Sequence, residues 1–130
     1  NNFVKTMLRL GRERDELNVV SDQIGSPTYA TDLAGVILEI IKNKEFREEE
    51  QATQIYHYSN KGEISWCDFA KEIFTISKID CKVNPITTQQ YLTPAKRPKN
   101  VLMEKYKISN IFGINTEDYR KVLKNCLKLN

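Results

Sequence analysis

Phe3, Val4, Met7 and Leu8 fall on one face at helical spacing, with Asn2 placed to cap the first turn, which predicts a helix over roughly residues 2–15. Leu17-Asn18-Val19-Val20 reads as a short strand, and the polar, Gly- and Pro-bearing run Asp22-Gln23-Ile24-Gly25-Ser26-Pro27 as a turn. A second helix begins near Thr31 or Asp32 and carries Leu33, Ala34, Ile37, Leu38 and Ile41 inward. Val36 and Ile40 widen that stripe, so the helix is expected to be covered on two sides. The charged run from Lys44 to Thr53 has no period and reads as a surface loop, whereas Gln54 to Ser59, with Ile55, Tyr56 and Tyr58, has a strand composition.

Ser65-Trp66-Cys67-Asp68 is close to a capping box, with Asp where Glu or Gln is preferred, and Trp66, Phe69, Ala70, Ile73 and Phe74 form an apolar helical face behind it. Lys82 to Ile86 is a further short strand. Thr87 to Asn100, interrupted by Pro94 and Pro98, is a long loop, and residues of about 103–112 are weakly helical up to Gly113. Thr116 is the expected cap of a last helix whose Tyr119, Val122, Leu123, Cys126 and Leu127 face inward. Short strands alternating with helices, without repeats or a linker, predict an α/β or α+β fold in a single domain over residues 1–130.

Composition narrows the classes. Hydrophobic residues make up 40% of the 130, lean beside the usual ~45–50%, so some apolar surface is expected to meet something outside this chain. No apolar run approaches the ~20 residues of a membrane span, and no leader pattern opens the sequence. The net charge of +3 is too small to argue for nucleic acid, and the densest unbalanced basic run is Lys96-Arg97-Pro98-Lys99. Three cysteines, Cys67, Cys81 and Cys126, lack CxxC spacing and with the single His57 make no zinc site. Reduced thiols in a cytoplasmic protein are the expectation. The opening Asn1-Asn2-Phe3-Val4, without an initiator Met, suggests part of a longer protein.

The residues supply no catalytic set. None of the five glycines falls in a dinucleotide or triphosphate cradle, no Tyr is followed four residues later by Lys, and His57 lacks a hydrolase partner motif. Two segments stand out. Asp22 to Thr28 places polar side chains, a permissive Gly and a rigid Pro directly after a strand, able to offer backbone amides to a ligand or to form an ordinary turn. Thr93-Pro94-Ala95-Lys96-Arg97-Pro98 sets a guanidinium between prolines, where rigid flanks lower the entropy lost in clamping an anion.

Five blocks occur in order along the chain: Asn2-Phe3-Val4-Lys5-Thr6-Met7-Leu8, the run Asp22-Gln23-x-Gly25-Ser26-Pro27-Thr28-Tyr29-Ala30-Thr31-Asp32-Leu33-Ala34, Tyr56-His57-Tyr58-Ser59-Asn60-x-Gly62, Ser65-Trp66-x-Asp68-Phe69-Ala70-x-Glu72-Ile73 and Lys96-Arg97-Pro98. Together they resemble the dTDP-4-dehydrorhamnose reductases. Each is weak singly; their order over nearly the whole chain is specific. The family belongs to the extended short-chain dehydrogenase/reductases, and the resemblance implies the C-terminal substrate-binding portion: an α/β, α+β-like fragment of helices packed on short strands, with the Rossmann half missing.

It further implies that the complete enzyme reduces dTDP-4-dehydro-L-rhamnose to dTDP-L-rhamnose with NADPH or NADH, while this portion is inactive alone and binds no cofactor or metal. The positions matching nucleotide-diphosphate contacts are Asn2, Phe3, Asn18, Val19, Val20 and Arg97. One departure is Gly25, where many wider relatives have a second phosphate-binding Arg; Lys96 could compensate. The implied partners are a dTDP-sugar and the missing N-terminal Rossmann domain. A homodimer follows as an expectation if Gln54 to Ser59 is an unpaired edge strand. The rival reading is a non-catalytic regulatory subunit on the same fold, similar to the β subunit of methionine adenosyltransferase.

Overall fold

The computed structural model describes residues 2–43, 53–91 and 93–128. Its first helix, α1 (Phe3–Glu13), is followed by β1 (Glu16–Val20), β2 (Ile24–Gly25) and α2 (Ala30–Lys42). Beyond these come β3 (Ile64–Ser65), α3 (Trp66–Ser77), β4 (Lys82–Ile86), α4 (Tyr106–Phe112) and α5 (Tyr119–Lys128). The expected helices and the strands at 17–20 and 82–86 are present, shifted by a few residues at their ends. The run Lys44–Gln51 and the residue after it lie outside the described residues.

β1 and β4 pair in parallel, Glu16 opposite Lys82 through Val20 opposite Ile86. A parallel pair needs a long crossover, and here it contains β2, α2, β3 and α3. Pro85 lacks an N–H and is tolerated because β4 has only β1 beside it among the described strands. β2 and β3 form a second, antiparallel pair two residues long.

The main core lies between α1, the β1–β4 pair, α3 and α5. It gathers Met7, Leu8, Leu17, Val19, Phe69, Ile73, Phe74, Tyr119, Val122 and Leu123, all buried. α3 is its central member because its apolar residues recur at three and four; Ala70 and Ile73 are fully buried. The helix is started by Ser65, whose Oγ accepts the Asp68 N–H at 3.0 Å and donates to the Asp68 carboxylate at 2.7 Å. The hydroxyl bond to the carboxylate holds the Asp68 carboxyl below its ordinary range, with Lys71 adding to the effect. α1 approaches α3 at Gly11: a Cβ there would stand 2.6 Å from Cε1 of Phe74.

A smaller cluster joins Val36 of α2 to Ile108 of α4 and Ile114, with Ile40, Tyr56, Tyr58 and Phe112 packed around it. This corrects the expected inward face of α2. Val36 is its buried residue, while Ile37, Leu38 and Ile41 are about half exposed (48%, 56% and 49%) and Ala34 is exposed.

Among the described residues Gln54 to Ser59 pairs with no other strand, and side chains fasten it to α4. Lys107 Nζ donates to Gln54 Oε1 at 2.7 Å and to the Ile55 carbonyl at 3.2 Å, and Tyr56 meets Phe112 edge-on. At the last helix, Asp118 rather than Thr116 performs the capping: its Oδ1 accepts the Arg120 N–H at 2.8 Å and its carbonyl accepts from Lys121 and Val122.

Buried Asn60 ties the segments between these layers. Its Oδ1 accepts the Tyr29 N–H at 2.7 Å, and its Nδ2 donates to Asp32 at 2.8 Å and to the Glu117 carbonyl at 3.3 Å. Gly62 follows with φ +102°, where a Cβ would come within 2.7 Å of the Tyr119 ring.

Candidate functional site

One face of α1, carrying Phe3, Thr6, Met7 and Leu10, with Arg14 just past its end, borders a cleft of about 860 Å³ whose other walls come from β1, Gln23, Trp66 and the loop after β4. At 1.5 Å per residue the 11-residue helix runs roughly 16 Å along it. Asn2 starts this helix, its Oδ1 accepting the Lys5 N–H at 2.9 Å. That bond leaves its amide Nδ2 unused by the cap, and the first-turn N–H groups of Phe3 and Val4 have no intrahelical acceptor. A helix start of this kind favours negative charge.

Phe3 and Trp66 make the aromatic part of the wall. Their ring centroids lie 4.7 Å apart at 49°, and Phe3 is also stacked on Phe69 at 5.7 Å. Trp66 keeps 37% of its surface exposed because it occupies the first position of α3, one residue outside the buried stripe. From β1 come exposed Asn18 and buried Val19 and Val20.

Arg97 reaches the same cleft from the loop between β4 and α4, together with Tyr91 and Thr93. This loop is stapled at two points to the residues following β1. At its start, the Thr88 N–H and Oγ1 both donate to Asp22 Oδ1, at 2.8 and 2.7 Å, and Gln23 Nε2 donates to Thr88 Oγ1 at 3.1 Å. At its end, the Ile24 N–H donates to the Lys99 carbonyl at 2.7 Å and the Val101 N–H to the Ile24 carbonyl at 3.0 Å. Asp22 holds its carboxyl below the ordinary range, chiefly through the Thr88 hydroxyl, with Lys99 Nζ 4.0 Å away as a smaller influence. The Asp22-Gln23-Ile24 run is therefore the staple of the Arg97 loop, and it presents no amide cradle of its own. Among the described residues no carboxylate pairs with Arg97.

All six residues expected from the sequence, Asn2, Phe3, Asn18, Val19, Val20 and Arg97, thus line one cleft. Sequence reasoning missed Gln23, Trp66, Tyr91 and Arg14 as wall residues. For Trp66 and Tyr91 the one signal was an aromatic at a helix start or in a polar loop, Gln23 lay in the polar run already singled out, and Arg14 had none, because periodicity does not register a cleft wall. Gly25 does not border this cleft. It lines a smaller apolar cavity with Trp66, Phe69 and Val101, and a Cβ there would meet the Val101 side chain at 2.8 Å, so any larger residue has to displace Val101. Arg14 brings the cleft its second guanidinium instead.

Elsewhere the chemistry is quiet. Burial pushes the Cys67 and Cys81 thiols up, away from thiolate reactivity. Among the described residues no three His, Cys, Asp or Glu side chains converge as metal ligands, and no helix is long and apolar enough to cross a membrane.

Comparison with known proteins matches the RmlD substrate binding domain family over residues 1–130. A dTDP-4-dehydrorhamnose reductase of Aggregatibacter actinomycetemcomitans is 45% identical over 132 residues, covering 96% of this chain and 44% of that protein. The crystal structure of a dTDP-4-dehydrorhamnose reductase from Clostridium acetobutylicum superimposes with a TM-score of 0.90 at 43% identity, over 99% of this chain and 44% of that one. A Bacillus anthracis dTDP-4-dehydrorhamnose reductase, solved in complex with NADP, gives a TM-score of 0.85 at 37% identity, over 100% of this chain and 43% of that one. The chain spans less than half the length of the curated relatives it matches.

Proposed function

This chain belongs to the RmlD substrate-binding domain family, and from that premise we propose that it forms the dTDP-sugar-binding unit of an NADPH- or NADH-dependent reductase, one that converts dTDP-4-dehydro-L-rhamnose to dTDP-L-rhamnose. The observation that carries this reading is the convergence of Asn2, Phe3, Asn18, Val19, Val20 and Arg97 on one cleft. Arg97 and the start of α1 supply the positive character a diphosphate needs, with Arg97 able to grip paired oxygens in its planar fork. Phe3 and Trp66 supply an aromatic wall for a planar or apolar ligand surface.

In this reading the dinucleotide is held elsewhere in the protein, because none of the five glycines falls in a phosphate-cradle motif. The nicotinamide and the proton donor for the C4 oxygen thus belong to the Rossmann domain of the same protein. This chain binds and orients the sugar nucleotide for them. The reduced thiols agree with a cytoplasmic enzyme. No observation favours the rival reading of a non-catalytic subunit, and the relatives above carry the reductase name.

The test is a calorimetric titration of the full-length protein with dTDP, paired with an NADPH-oxidation assay on dTDP-4-dehydrorhamnose. Saturable dTDP binding with turnover is expected; dTDP binding without turnover would favour the regulatory subunit, and neither would overturn the proposal.

A further inference from the structure

Gln23 is buried, 7% exposed, yet borders the cleft, and its side chain is held in one orientation by a chain of hydrogen bonds. Asp22, ionised at neutral pH, can only accept; it takes the Thr88 hydroxyl proton at 2.7 Å. The Thr88 oxygen then has lone pairs alone to offer Gln23, so the neighbour at 3.1 Å must be the amide nitrogen and not the amide oxygen. The opposite arm, Oε1, is the acceptor left over. No donor among the described residues reaches it, and since no buried side-chain oxygen or nitrogen there lacks a partner, Oε1 is open to solvent. The opening Gln23 borders is the cleft.

We propose that Gln23 is a specificity-determining residue of this cleft: its fixed amide oxygen accepts a hydrogen bond from a donor on the bound nucleoside, the imide N–H of the base or the deoxyribose hydroxyl. The inference rests on the dTDP-sugar reading above. A phosphate is excluded as the partner of Oε1, because both would be acceptors. The hexose is the less favoured partner in the same reading, since its C4 has to face chemistry that this chain does not carry, and a donor on the hexose would leave dTDP binding unchanged in Gln23→Met. Asp22 and Thr88 are positioning residues. They set the polarity of the amide as well as stapling the loop.

The test measures affinities of the full-length protein for dTDP, for its N3-methyl analogue and for its 3′-deoxy analogue, with wild type and Gln23→Met. Loss of one neutral hydrogen bond predicts about three- to tenfold weaker dTDP binding by Gln23→Met. One of the two analogues should weaken wild type by a similar factor and cost nothing further in the variant; that analogue identifies the donor. Should Gln23→Met fail to fold, Thr88→Val runs the same cycle. It keeps the Thr88 N–H bond to Asp22 and frees the Gln23 amide to turn, so discrimination against that analogue should shrink. Wild-type affinity in Gln23→Met, or both analogues costing as much in the variants as in wild type, would overturn the role of Gln23 while dTDP binding stands. A wild-type protein that fails to bind dTDP would overturn the underlying reading and this inference with it.

Discussion

Arg97 owes its availability to where its loop is fastened. With Thr88 bound to Asp22 and Lys99 to Val101 holding Ile24, the guanidinium faces the cleft without a carboxylate partner among the described residues. A charge-assisted hydrogen bond is worth about 1.5–3 kcal/mol, so Arg97→Ala should weaken dTDP binding roughly tenfold or more. Arg97→Lys should recover only part, keeping charge but losing the fork. Calorimetry on the full-length protein checks this, and wild-type affinity in Arg97→Ala would remove the residue from the site. Tyr119 is a structural counterpart. It is fully buried, its hydroxyl donates to Glu72 at 3.0 Å, and burial followed by that bond pushes its phenol from 10.0 up to about 12. A raised folded-state value means that its contribution is complete below pH 10 and is lost as pH rises toward 12, because only the unfolded chain ionises in that window. Tyr119→Phe should cost about 1 kcal/mol at neutral pH and flatten the stability decline between those limits, read by denaturant unfolding across pH.

Among the elements, α2 and α3 look alike in sequence and differ in surroundings. Both have wide apolar stripes, yet α3 lies between α1, the β1–β4 pair and α5, while α2 contributes only Val36 to the buried set. Ile73→Ala, at a site with no exposure, should cost about 2–5 kcal/mol, whereas Leu38→Ala, at 56% exposure, should cost under about 1 kcal/mol. Denaturant melts of the two variants decide it; equal losses would mean that the exposed stripe is covered in solution. Close approach also separates elements that local pattern treats alike. Gly11 looked like an ordinary small residue in an amphipathic helix, and its role is visible only against the Phe74 ring across the α1–α3 contact.

For the whole molecule, the proposed reading gathers the binding elements in this chain and leaves the reacting groups to the Rossmann domain. The purified 130-residue chain should therefore show no NADPH oxidation with dTDP-4-dehydrorhamnose, as followed by NADPH absorbance. Turnover by this chain, free of contaminating reductase, would contradict the division of labour proposed above.

What the sequence determined by itself was whatever depends on neighbours a few residues apart. Asn2 and Ser65 cap their helices as their spacing required, the stripes of α1, α3 and α5 face the core, and 82–86 is a strand. Local hydrogen bonds and helical periodicity set these, and both are written in consecutive residues. Motif resemblance added the six wall residues but no reason for their proximity. Tertiary structure alone decided which side of α2 is covered, that 54–59 leans on α4 rather than on a strand, and that Asp118 replaces Thr116 as a cap. It also decided the cleft itself, whose loop wall is fastened by hydrogen bonds between Asp22 and Thr88, 66 residues apart in the chain. Such a closure has no local period to betray it; it follows from the β1–β4 pairing, which brings the ends of two distant strands side by side.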